Sequence, residues 1–151
     1  MGAAGSVGDA RRGDARRGPR LSLVAGWEDV RRIALGLPET SEGTSWGNMS
    51  WRVRGKQFAW ERPLRPADLR ALADAAPAGP ILGARVEHVG AKEALLADDP
   101  AVYFTTPHFD GYPAILVALD RIAAPELDEL IVEAWLCQAP KRLAREFLKT
   151  R

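Results

Sequence analysis

A polar loop bounded by prolines, Thr105-Thr106-Pro107-His108-Phe109-Asp110-Gly111-Tyr112-Pro113, runs straight into the apolar stretch Ala114-Ile115-Leu116-Val117-Ala118-Leu119. Leu127, Leu130, Ile131, Ala134 and Trp135 then recur at helical spacing, in a segment opened by Pro125 and cut by Pro140. Proline neither donates to a sheet ladder nor continues a helix, so it marks the ends of elements. This part of the chain therefore reads as two strands, Val102–Thr105 and Ala114–Leu119, joined by the His108 loop and followed by a helix whose stripe includes Trp135.

The rest of the chain obeys the same punctuation. Trp27, Val30, Ile33, Ala34 and Leu37 fall on one face of a helix that Pro38 ends, with Glu28 and Asp29 suiting its first turn. Residues 39–44 read as a polar loop. Met49, Trp51 and Val53 then alternate with Ser50, Arg52 and Arg54, Gly55 marks a turn, and Phe58 and Trp60 continue on a return strand. This hairpin is expected to carry one aromatic, apolar face and one basic face. Pro66 opens a short helix with Leu69, Leu72, Ala73 and Ala76 inward. A strand over Ile81–Val89 and a helix over about Ala91–Ala97 follow, and a last helix over Lys141–Lys149 turns Leu143, Phe147 and Leu148 inward. The order predicts an α+β fold: a single compact domain over residues 23–151, an antiparallel sheet with helices packed on one face.

Residues 1–22 hold Gly, Ala, Arg and Asp with little that could bury itself, a composition that predicts a disordered basic tail. Residues 1–20 carry five arginines against two aspartates, or +3, and the remainder carries sixteen basic against eighteen acidic residues, or −2. A body that is slightly acidic argues against strong electrostatic capture of nucleic acid. The tail would add loose affinity for nucleic acid or act only as a solvated extension. The single cysteine, Cys137, forms no intramolecular disulfide and suits a reducing cytoplasm. With two histidines and one cysteine no closely spaced zinc set exists, and neither a metal, a cofactor nor a membrane partner is implied. Nothing in the sequence calls for more than a monomer.

Two constellations carry candidate chemistry. Arg52, Arg54 and Lys56 on the hairpin, with Arg62 and Arg65 beyond it, would lie along a phosphate backbone as a wing does, or would blunt an exposed strand against edge pairing. Lys141, Arg142 and Arg145 form a second basic segment, which would join that surface or simply complement a helix end. His108 and Asp110 would make an acid–base pair or position a ligand, with Tyr112 and Trp46 completing a pocket. Their other reading is a loop in which His108 bonds backbone and Asp110 makes an Asx turn. Trp46 and Phe109, both in loops, are expected to be exposed, whereas Trp60 and Trp135 are expected in the core. Cys137 is expected to be an inert core thiol.

Several blocks coincide, in order, with one known pattern: Ile33-Ala34-Leu35-Gly36-Leu37-Pro38, Glu42-Gly43-Thr44-Ser45-Trp46-Gly47, Trp51-Arg52-Val53-Arg54-Gly55-Lys56, Phe104 through Pro113, and Ala134-Trp135 with Ala139-Pro140-Lys141-Arg142. From Trp27 to Leu148 the chain resembles the MmcQ/YjbR family of small bacterial proteins. The resemblance implies a CyaY-like, double-wing fold and a non-enzymatic role in binding DNA. Given the acidic body, such binding is expected to be weak and tolerant of sequence. The resemblance brings no catalytic residue with it, and the alternatives to nucleic-acid binding are a small-molecule-binding protein or an enzyme using the His108–Asp110 loop, or a protein-interaction adaptor.

Overall fold

A computed structural model describes residues 25–151; the expectation for the N-terminal tail lies outside them. The elements are α1 (Trp27–Leu35), β1 (Thr40–Ser45), β2 (Asn48–Val53), β3 (Lys56–Glu61), α2 (Pro66–Leu72), β4 (Ile81–Arg85), α3 (Val89–Asp98), β5 (Tyr103–Phe104), β6 (Ala114–Ala118), α4 (Ala124–Gln138) and α5 (Lys141–Lys149). All six strands join one antiparallel sheet in the order β1-β2-β3-β4-β6-β5. Among the described residues no helix is long and apolar enough to cross a membrane.

The sheet has two unlike faces, and strand alternation decides which residue goes where. Trp51 and Val53 of β2, Leu82 and Ala84 of β4, and Ile115 and Val117 of β6 point into the main core. There they meet Val30, Ile33 and Ala34 of α1 and Leu127, Ile131 and Trp135 of α4. Trp135 is fully buried, donates from Nε1 to the Pro38 carbonyl at 3.1 Å, and packs against Phe147 of α5. Trp27 of α1 stacks on Trp51, whose Nε1 donates to Glu42 at 2.9 Å.

On the opposite face, register places Ser50, Trp60, Gly83, Leu116 and Phe104 in one row across β2, β3, β4, β6 and β5. A smaller apolar cluster forms here from Ile81, Phe109, Ala114 and Leu116, with Trp60, Leu64 and Phe104 against it. Trp60 therefore lies on the face opposite to the one expected. The cause is a β-bulge: Trp51 pairs with Ala59 while the next residue, Arg52, pairs with Gln57. Phe58 is the extra residue, so Phe58 and Ala59 both enter the main core and every later side chain changes sides.

Four further expectations are corrected. Residues 40–45 form strand β1 rather than a loop; its side chains are mostly exposed, so no apolar alternation betrays it, and backbone pairing to β2 alone defines it. The α2 stripe is not buried, because Leu69 and Ala73 face solvent and the buried residue is Asp68. Strand β4 ends at Arg85 and Val89 already belongs to α3, which is capped by His88 Nδ1 accepting from the Ala91 N–H at 3.0 Å. Leu148 is exposed, since α5 lies at the edge of the core and inserts only Leu143 and Phe147.

Candidate functional site

The second face of the sheet is only partly covered. Beside its small apolar cluster lies a concavity of about 1070 Å³, open to solvent. Trp46, His108, Asp110 and Tyr112 all line it, so the four residues expected to form a pocket are brought together. Lys56, Arg62 and Arg65 of the expected basic set line it too, joined by Arg85.

Trp46 stands at the tip of the β1–β2 hairpin. Trp46 and Gly47 both adopt left-handed backbone, with φ of 55° and 80°, as a tight two-residue hairpin connection requires. The indole is 94% exposed. Opposite, Trp60 lies flat against Gly83: a Cβ there would stand 2.4 Å from the indole Cε2 and Nε1. Glycine at that cross-strand position is what lets the ring settle on the sheet.

The His108 loop closes a third side. Phe109, only 7% exposed, is its hub and not the exposed ring expected. It meets the edge of His108 at 4.8 Å between centroids, Tyr112 at 6.3 Å, Trp60 at 6.5 Å and the Arg62 guanidinium at 5.3 Å. The loop is not held by His108 and Asp110, which are both exposed. It is held by Lys92 of α3, a lysine 4% exposed whose Nζ donates to the carbonyls of Phe109 at 2.6 Å and Tyr112 at 3.1 Å. Burial pushes the Lys92 ammonium below its ordinary pKa, against the pull of the Asp110 charge. No alternation or helical stripe announces this lysine, because its partners are backbone carbonyls 17 and 20 residues away.

Arg62 is likewise structural. It is 5% exposed and pairs through Nη1 with Asp68 of α2 at 3.0 Å. Burial works against the Asp68 carboxylate, but the Arg65 backbone N–H and the Arg62 guanidinium outweigh it and hold the carboxyl below its usual range. Arg62 is therefore removed from the set of expected phosphate contacts. Arg54 sits in the β2–β3 turn at φ 50° and is paired with Glu39, whose carboxyl that hydrogen bond holds low. Arg52 is half-buried beside β1 and does not line the concavity. Lys141, Arg142 and Arg145 are exposed on α5 and do not line it either, so the two basic segments do not merge there. The lining cations not held in a buried ion pair are Lys56, Arg65 and Arg85, of which Arg85 also lies over Tyr112 and donates to its hydroxyl at 2.9 Å.

The arrangement offers flat aromatic surfaces beside positive charge, with Glu61 and Asp110 as the lining carboxylates. Cys137 lies elsewhere, half-buried in the groove between α3 and α4, and burial pushes its thiol pKa up, which makes it a poor nucleophile. Among the described residues no group of three or more potential metal ligands comes together.

Comparison with known proteins adds a family and a fold. A family model described as YjbR matches residues 35–137, a span that holds every residue lining the concavity except Gln138. An uncharacterised protein of Mycobacterium tuberculosis, Rv2570, is 56% identical over 128 residues, which cover 83% of this chain and 97% of that protein. An uncharacterised protein of Mycobacterium bovis, Mb2600, matches to the same extent. The crystal structure of Deinococcus radiodurans protein DR2400, with a domain described as DUF419, superposes with a TM-score of 0.55 at 17% identity, over 76% of this chain and 78% of that one. At that identity the likeness concerns the fold alone.

Proposed function

The chain belongs to the YjbR family, and from that premise we propose that it is a non-enzymatic nucleic-acid-binding protein whose ligand lies in the concavity rather than along the basic side of the β2–β3 hairpin. One observation carries the proposal: Trp46, 94% exposed on a left-handed hairpin tip, faces a space it shares with Tyr112, Trp60 and the cations Lys56, Arg65 and Arg85. An indole left in water gains no burial energy for the fold, and asparagine would suit that turn better. Its position is accounted for if a base or another flat ring covers it. Cations nearby would meet phosphates. On this reading the protein works in the cytoplasm, where nucleic acid is at hand and the Cys137 thiol stays reduced.

Binding is weak and tolerant of sequence, because few cations line the space and the body from residue 21 onward carries −2. The test is a titration of the full chain with oligonucleotides at two salt concentrations. A companion variant has Arg11, Arg12, Arg16, Arg17 and Arg20 replaced by Ser, so that the tail is accounted for separately. Replacing Lys56, Arg65 and Arg85 with Ala should flatten the dependence of log affinity on log salt by about 2 units. Binding that vanishes with the tail arginines, or that ignores the replacement of Lys56, Arg65 and Arg85, would refute the proposal.

A further inference from the structure

We infer that the concavity is selective for single strands: it takes about two or three unpaired nucleotides, with bases against Trp46, Trp60 and Tyr112 and phosphates toward Lys56, Arg65 and Arg85. This rests on the nucleic-acid reading of the same site and narrows it.

The first argument is which surface of a ligand an aromatic ring can reach. In a duplex the faces of the bases are covered by their neighbours, and only edges and phosphates are open to a protein. Stacking on side chains is available to bases that are splayed out. Here the aromatics present themselves from three separate elements: the β1–β2 tip, the surface of β3, and the His108 loop. Trp60 lies flat on Gly83 and Tyr112 is 45% exposed under Arg85, so both are set on rigid supports. The Lys92 bonds to the Phe109 and Tyr112 carbonyls fix the loop that carries Tyr112.

The second argument is charge. Duplex DNA carries one phosphate charge per about 1.7 Å of axis, and proteins that grip it present a long basic stripe. Four lining cations, of which Arg62 is buried against Asp68, with the Glu61 and Asp110 carboxylates among them, are a poor match for that density. They suit a short stretch of single strand whose bases turn inward and whose backbone passes the rim. Beyond the concavity no extended stripe continues, since Arg54 at the hairpin turn is paired with Glu39 and Arg62 after the hairpin is buried against Asp68.

The third argument is size. A volume of about 1070 Å³ is between three and four times the roughly 300 Å³ at the lower end of small-molecule sites. That is room for a few nucleotides and not for the width of a double helix.

The experiment compares, at one salt concentration, the affinity of the full chain for a fluorescently labelled twelve-nucleotide single strand, for the blunt duplex of the same sequence, and for heparin as a polyanion without bases. The single strand should bind at least about tenfold more tightly than either and should quench tryptophan fluorescence. Trp46→Ala should weaken the single strand at least about fivefold, Trp46→Phe should restore most of that loss, and neither should change binding to heparin. Circular dichroism of each variant establishes that it is folded. Duplex binding equal to or tighter than the single strand, with Trp46→Ala neutral, overturns the inference while leaving the nucleic-acid reading in place. Failure of every nucleic acid to bind overturns both.

Discussion

The two faces of the sheet are built on different principles. The helix-covered face is an apolar core in which Trp51, Leu82, Ile115, Val117, Leu127, Ile131 and Trp135 are excluded from water almost completely. Its residues are interchangeable in kind: what matters is volume and apolar character. The other face adds to its small apolar cluster a few single devices, each with one residue doing one thing. Arg62 meets Asp68, Lys92 ties down the His108 loop, and Gly83 makes room for Trp60. The first face stabilises the molecule and the second gives it a shaped surface. If so, core variants should cost stability alone, variants of the residues that hold the second face should cost stability and binding together, and variants of its exposed rings should cost binding alone.

The largest effect belongs to the core. Trp135→Ala removes a fully buried ring from beneath Phe147 and leaves the Pro38 carbonyl without its donor. Urea unfolding should show a loss of about 3–5 kcal/mol. A loss below about 1 kcal/mol would place Trp135 outside the core and erase the distinction between the faces.

Next comes the buried pair. Arg62→Met strands the Asp68 carboxylate and should cost about 3 kcal/mol, whereas the double change Arg62→Met with Asp68→Leu should recover most of it. The pair also makes stability depend on acid. Because the Asp68 carboxyl is held below the 3.8 of the free group, its contribution is complete above pH 3.8 and is lost as pH falls through the lowered folded value. The double variant should lack that acid-sensitive component. If its stability falls with acid as steeply as the wild type, Asp68 is not the group responsible.

Lys92→Met should cost about 2 kcal/mol, since two loop carbonyls lose their donor while the apolar part of the side chain is kept. Unlike Trp135→Ala, it should also loosen Tyr112 and weaken ligand binding. Hydrogen exchange across residues 107–113 would show the difference: protection should fall there and persist in α4. Uniform loss of protection would mean that the loop is part of the main core after all.

The same division explains what could be read from residues alone. The helices α1, α4 and α5 and most strands follow from apolar period and proline placement, and the α+β architecture follows from their order. The grouping of Trp46, His108, Asp110 and Tyr112 was also legible. The bulge at Phe58 was not, because an inserted residue changes the phase of β3 without changing its composition, and that one phase change moves Trp60 to the site. The fate of the arginines was not legible either. Arg52, Arg54, Lys56 and Arg62 look alike in a charge pattern, and only partners distant in sequence or in another element, Glu39 for Arg54 and Asp68 for Arg62, distinguish a spent charge from a free one.

The smallest effect on stability is the sharpest test of the comparison, and it has the opposite sign. Trp46 and Gly47 occupy a hairpin tip with φ of 55° and 80°. A left-handed backbone is disfavoured for tryptophan by its Cβ, whereas asparagine tolerates it and Asn-Gly is the preferred pair for such a turn. The indole gives little in return, being 94% exposed. Trp46→Asn should therefore raise stability slightly, by about 0.5 kcal/mol, with the denaturant midpoint moving up and the slope unchanged. The same variant should lose affinity for the single strand by at least about fivefold, because the flat ring is gone while Lys56, Arg65 and Arg85 are untouched. A residue whose replacement improves the fold and damages binding is retained for the ligand. If Trp46→Asn instead destabilised the protein by more than about 1 kcal/mol, the ring would belong to the packing of the fold, and the second face would lose its claim to be the functional one.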